Sequence, residues 1–282
     1  MIPNAFAFER VNTVEAALDR LGADGEAKLL AGGHSLLPLM KMRLSSPSKL
    51  IDISGIDALR GVRREEGRII IGALTPHREV AVHPLVQAHL PALAQAAAQI
   101  GDLQVRNRGT LGGNLAHADP SSDLPAVALA YDAELTVVTA EGSELLPVDG
   151  FFLAPLTTAM PEGGILTQVS FVIPPEGAHS VYEKYSHPAS GYAVVGVAAV
   201  VALTSGRVSH IRVGITGAGD AAYRATAVEE ALLDQVWSRE RVQAASRHAD
   251  ENGGIGEDLF ASEAYRRHLC QVYTRRALER LG

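Results

Sequence analysis

Two short glycine-bearing stretches hold the residues best suited to chemistry. In the first, the apolar run Leu29-Leu30-Ala31 breaks at Gly32-Gly33, and His34, Ser35 and Leu36 lead into apolar residues at helical spacing. That pattern predicts a strand, a tight turn and a helix start. Such a turn leaves several backbone N–H groups pointing outward, and glycines lacking Cβ atoms let a bulky anion approach the main chain. A diphosphate fits there. The second stretch, Thr110-Leu111-Gly112-Gly113-Asn114, repeats the arrangement about 80 residues further on. A lone Gly-Gly pair is also what any strand-to-helix turn contains. Two of them at this separation suit a nucleotide held between two lobes, with both turns supplying N–H donors.

The flanking elements are those that would position such turns. Asn12 with Glu15 has the spacing of a capping box, and Val14, Ala17, Leu18 and Leu21 share one helical face that Gly22 should end. Lys49 to Ile53 completes a small α/β lobe over residues 1–54. A middle lobe, 55–176, contains a β-branched strand at 68–73, an alanine-rich helix opened by Pro91, a helix capped by Asp123, strands at 135–139 and 165–173, and a Pro174-Pro175 boundary. The third lobe, 177–282, starts from two long apolar strands, Ala193 to Leu203 and Arg207 to Thr216, joined by Ser205-Gly206 as a hairpin. Helices are predicted near 226–236, 239–250 and 262–281.

The totals narrow the function. The chain has 282 residues, 47% of them hydrophobic and 20% charged, as expected of a soluble globular protein large enough for two or three lobes. Its formal net charge of -7 argues against a nucleic-acid surface and against attraction to an acidic membrane. Any anion must therefore be held by local groups. Cys270 is the sole cysteine, which excludes an internal disulfide and a cysteine-ligated iron–sulfur cluster within this chain. The first residues, MIPNAFAFERVNT, show no signal-peptide pattern, and the longest apolar run has 11 residues, so a cytoplasmic protein without a transmembrane segment is expected. Ten histidines are scattered without ligand spacing, and no metal site is predicted.

The motifs AGGHSLLP at 31–38, TLGGN at 110–114 and SSDLPA at 121–126 closely resemble the FAD-binding medium subunit of molybdenum hydroxylases, the carbon monoxide dehydrogenase and xanthine dehydrogenase type. The resemblance covers essentially the whole chain. It implies an α+β protein: a two-lobed FAD-binding fold of the vanillyl-alcohol-oxidase/PCMH type, followed by a C-terminal domain of antiparallel sheet and helices. It also implies an electron-transfer flavoprotein with non-covalent FAD, acting beside a small subunit with two [2Fe–2S] clusters and a large molybdopterin subunit that oxidises the substrate, in a dimer of heterotrimers. By the same resemblance the cofactor would meet Ala31, Gly32, Gly33, His34, Ser35 and Leu36, then Thr110, Leu111, Gly112, Gly113 and Asn114. Asp123 would accept from cofactor hydroxyls, Leu166 would present its backbone to the adenine, Lys184 would lie near the flavin, and Tyr192 would cover one ring face.

Each of these has an ordinary alternative: a helix cap for Asp123, a core position for Leu166, a solvated Lys184 and a core-edge Tyr192. Arg106 and Arg108 flank the second turn, where they could offset phosphate charge or simply be solvated. Gly217-Ala218-Gly219-Asp220-Ala221-Ala222 mimics a dinucleotide fingerprint, but its strand belongs to a hairpin, which argues against a Rossmann site. Two rival functions differ in class. One is a stand-alone flavin oxidase with FAD bound covalently to His34; the other is a nucleotide-binding scaffold without redox activity.

Overall fold

The computed structural model describes residues 2–282. Strand β1 (Ala7–Arg10), helix α1 (Val14–Ala23), β2 (Lys28–Leu30), α2 (Leu36–Lys41) and β3 (Lys49–Asp52) form a parallel three-stranded sheet of order β1-β3-β2 with its helices. Thr13, not Asn12, caps α1: its Oγ1 accepts from the Ala16 N–H at 3.1 Å. The helix also runs past Gly22 to Ala23, because the chain turns extended only at Asp24.

The next segment places β4 (Val62–Glu65), β5 (Arg68–Gly72), the helices α3 (His77–Val82), α4 (Pro84–His89), α5 (Pro91–Gln99), α6 (Leu103–Arg108), α7 (Leu111–His117) and α8 (Leu124–Ala130), then β6 (Glu134–Thr139), β7 (Gly142–Pro147), β8 (Phe152–Ala154), β9 (Thr157–Thr158) and β10 (Ile165–Val172). Five of these strands make an antiparallel sheet of order β4-β5-β10-β6-β7. Its isoleucines 69 and 71 face the helices in a core shared with α5 and α8. Leu59, Leu74 and Ile165 instead join the core of the first sheet, so the two sheets are packed together rather than tethered.

Strands β11 (His179–Ser186), β12 (Ala193–Thr204), β13 (Arg207–Thr216) and β14 (Tyr223–Arg224) follow in that spatial order, all antiparallel. The β12–β13 turn has positive φ at both Ser205 and Gly206, the geometry that matches strand twist. Ten successive residues of β12 are buried because α8 covers one face and α11 (Glu263–Glu279) the other. Helices α9 (Thr226–Leu232) and α10 (Arg239–Ala245) lie between β14 and α11. Helix α9 ends four residues earlier than its sequence pattern predicts, as Asp234 adopts φ 61° and its N–H pairs with Val208 O. Among the described residues no helix is long and apolar enough to cross a membrane. The α+β architecture expected from the sequence is the one found.

Candidate functional site

The two glycine turns meet. A side chain at Gly32 would begin 2.2 Å from Arg108 O and 2.8 Å from Gly109 Cα, and one at Gly113 would begin 3.7 Å from Ala31 Cβ. At Gly32 only a residue without a side chain allows this seam, whereas the Gly113–Ala31 approach is ordinary contact. The seam opens into a cleft of about 530 Å³, lined on one side by Ala31–Leu36 and on the other by Thr110, Gly112, Gly113 and Asn114.

The turns do not contribute equally. Among the described residues the N–H groups of Gly32, Gly33, His34, Ser35 and Leu36 have no internal acceptor; the first satisfied donor is Leu37, which bonds Gly33 O at 3.1 Å. Ser35 occupies the cap position of α2 but makes no side-chain cap bond. Five consecutive free amides beside a cleft are an anion-binding surface. In the second turn every amide from Leu111 to Asn114 is used. Leu111 donates to Thr75 O, Gly112 to Ala73 O and Asn114 to Thr110 O, while Gly113 donates to Thr110 Oγ1 at 3.1 Å. The expectation of donors from both turns is therefore narrowed: Thr110 takes the Gly113 and Asn114 N–H groups, Ala73 and Thr75 take those of Gly112 and Leu111, and only the Thr110 N–H has no internal acceptor among the described residues. Gly112 supplies clearance instead: a Cβ there would lie 2.4 Å from Ala73 Cβ.

The cleft wall suits an anion joined to an apolar ring. Among its described lining residues there is no Asp or Glu, and Lys28 is the only Lys or Arg. Arg106 is spent on Ile100 O and Gly101 O. Leu156, Met160, Ile165 and Leu166 make the wall apolar at one end, and Tyr192, 47% exposed, stands at the rim. Burial, with Asp119 and Asp123 nearby, raises the Tyr192 phenol above its ordinary value.

Leu111, Asp123 and Lys184 do not line the cleft. Leu111 is fully buried in the core. Asp123 precedes α8 without capping it. Its carboxylate accepts instead from Tyr182 Oη at 2.5 Å and lies 3.0 Å from Lys184 Nζ, with both ionic side chains almost wholly buried. Burial raises the Asp123 carboxyl, opposed by the Lys184 charge and the Tyr182 hydroxyl. Lys184 also donates to Gly191 O at 2.9 Å. The lysine is therefore a buried anchor for the loop that brings Tyr192 to the rim, not a solvated side chain.

Two cleft residues escape a reading of the sequence. His77, 3% exposed, lines the cleft, and burial followed by the neighbouring His34 lowers it to about 4. His117 is half-buried and also lowered, with burial outweighing Asp119. Neither sits in a recognisable spacing. Among the described residues no group of His, Cys, Asp and Glu could hold a metal ion.

Fold and site together define a protein that holds a dinucleotide between two lobes. Residues 4–175 match the family model for the FAD binding domain in molybdopterin dehydrogenase, and residues 180–281 match that for the CO dehydrogenase flavoprotein C-terminal domain. The carbon monoxide dehydrogenase medium chain of Hydrogenophaga pseudoflava is 39% identical over 279 residues, covering 99% of this chain and 97% of that one. A 6-hydroxypseudooxynicotine dehydrogenase complex subunit alpha from Paenarthrobacter nicotinovorans is 34% identical over 99% of this chain and 95% of its own length. The solved carbon monoxide dehydrogenase of H. pseudoflava contains a chain that superposes with a TM-score of 0.97 at 40% identity, covering 100% of this chain and 98% of that one. The chain belongs to the family of FAD-binding medium subunits of molybdenum hydroxylases.

Proposed function

We propose that this chain is the electron-transfer flavoprotein of a molybdenum-containing dehydrogenase of the carbon monoxide dehydrogenase type. One observation carries the reading: five amides without internal acceptors and a second glycine turn border one cleft, whose described lining residues include no carboxylate. The cofactor that fits is FAD, which when bound accepts electrons singly and releases them in pairs. Residues 1–54 and 55–176 form the lobes that grip it, and residues 177–282 bring Tyr192 to the ring end, with Lys184 buried behind it as an anchor. The Gly32–Leu36 amides hold the diphosphate, while Leu156, Met160 and Leu166 exclude water from one end of the slot. Tyr192, fixed through Gly191 and Lys184, controls how closely an oxidant approaches. In the dehydrogenase assembly, a dimer of heterotrimers, a small partner subunit would carry the [2Fe–2S] clusters that supply electrons and a large one the molybdenum at which substrate is oxidised. That full-length relatives are named for carbon monoxide dehydrogenase and for 6-hydroxypseudooxynicotine dehydrogenase supports a substrate chosen on another subunit.

Purification of the full chain tests this reading. The expected result is one FAD per chain, released by acid denaturation and bleached by a chemical reductant. Flavin retained on the His34 peptide after digestion supports the covalent oxidase instead. Absence of flavin, with no spectral change on reduction, supports the scaffold.

A further inference from the structure

His77 is the first residue of α3 and lies directly behind the seam. Its backbone N–H donates to Gly109 O at 2.9 Å, and a side chain at Gly109 would begin 2.9 Å from the ring atoms Cδ2 and Nε2. Gly109 in turn packs on Gly32. The imidazole therefore lines the cleft one residue behind the point where the free amides begin. Its Nδ1 is buried and has no hydrogen-bond partner among the described residues. An orphaned buried nitrogen carries a desolvation cost, which a negative charge brought to the ring would offset.

The ring's surroundings contain nothing that would charge it. On its own helix Arg78 and Glu79 are exposed; α4 carries His89 and follows His83; α6 carries Arg106 and Arg108; the first turn brings His34 and α7 ends in His117. Burial opposes protonation of the ring, and of these groups His34 adds to that opposition. A bound diphosphate would bring the first negative charge to this cleft wall.

We infer that His77 is a cofactor-binding residue whose imidazole takes a proton from solvent as the dinucleotide binds, turning the orphaned ring into a charge-assisted partner of the diphosphate. The inference rests on the cleft being the FAD site. The balance is simple: neutral ring, one solvent proton and the FAD dianion give one complex holding the proton. Binding raises the pKa of the ring, so affinity is greatest at low pH. It falls as pH rises, by about tenfold per pH unit while the bound ring keeps its proton and the free ring has none, and levels off above the bound-state value.

Calorimetric titration of the full chain, stripped of cofactor, with FAD in buffers of different ionisation enthalpy measures the proton directly. The expected result is uptake approaching one proton per FAD between about pH 5 and 6 and none near pH 9, with Kd rising at least about tenfold from pH 5 to pH 8. His77→Gln should bind FAD without uptake, whereas His34→Gln and His117→Gln should retain it. Uptake that persists in His77→Gln, or that is missing from the wild type while FAD still binds, overturns the inference and leaves the FAD reading intact. Failure to bind FAD at any pH overturns both. Carbon-labelled histidine NMR on the wild-type chain supplies a second measurement that needs no variant. One ring with an unusually low pKa should move upward on adding FAD, and no such movement would sink the proposal.

Discussion

The two Gly-Gly turns look alike in sequence and do opposite things with their backbones. At Gly32–Leu36 the chain enters α2 with five N–H groups free and no side-chain cap. At Thr110–Asn114 it enters α7 with every donor after Thr110 satisfied, one of them by the Thr110 hydroxyl. The first turn is bound only at its edges and keeps its donors for a ligand. The second is built into the β5 end through Ala73 and Thr75 and serves as the surface against which the first is pressed. A glycine pair marks close approach, and hydrogen-bond accounting reveals what approaches.

Substitution at the seam should break this comparison most severely. Gly32→Ala puts a methyl group into the backbone of Arg108–Gly109, which cannot rotate away, so the turns must part. Bound flavin should fall to near zero in the purified chain, and added FAD should no longer raise the melting temperature. In the wild type, FAD at about 100 times its Kd should add about 2.7 kcal/mol. Gly112→Ala overpacks Ala73 instead and should cost about 1–3 kcal/mol in chemical denaturation. Because Gly112 contributes no free donor, that variant should still be stabilised by FAD. Equal loss of FAD response in both variants would mean that the turns are not functionally distinct.

A smaller effect should follow from Thr110→Ala. It removes the hydroxyl that accepts from the Gly113 N–H and should cost about 1 kcal/mol, the usual worth of a helix cap, with flavin content retained. Urea denaturation of the cofactor-free chain measures it. A loss of flavin larger than the loss of stability would show that the second turn, too, reaches the cofactor.

Much of this was legible in the sequence, and what was not has a physical cause. The turn after Leu30, the alanine-rich α5 and the β12–β13 hairpin follow from local spacing, and all lie within a residue or two of where the pattern puts them. The edge strands β4 and β7 do not stand out, because Val62–Glu65 and Gly142–Pro147 are largely exposed and carry no alternating apolar face. Within the site, the presence of both turns was readable, but the fate of their donors was not. It depends on Ala73 and Thr75, nearly 40 residues before the second turn. The Asp123–Lys184 pair spans 61 residues, and an Asp before Leu-Pro reads locally as a cap. His77 follows a proline at a strand end and has no partner whose spacing could point to it.

His34 should show the smallest effect, and it bears most directly on what the first turn is for. Its side chain is exposed at the cleft while its main-chain N–H is one of the five free donors. If the backbone holds the diphosphate, His34→Ala leaves the donor in place and changes stability by no more than about 0.5 kcal/mol, as for most exposed positions. FAD content should match the wild type, and all of it should dissociate in acid. A large loss of flavin in His34→Ala would shift the work of this turn from amide to imidazole. The likeness between the two turns would then be confined to their glycines, and Gly32→Ala would have to be reread as a displacement of the histidine rather than of the donors beside it.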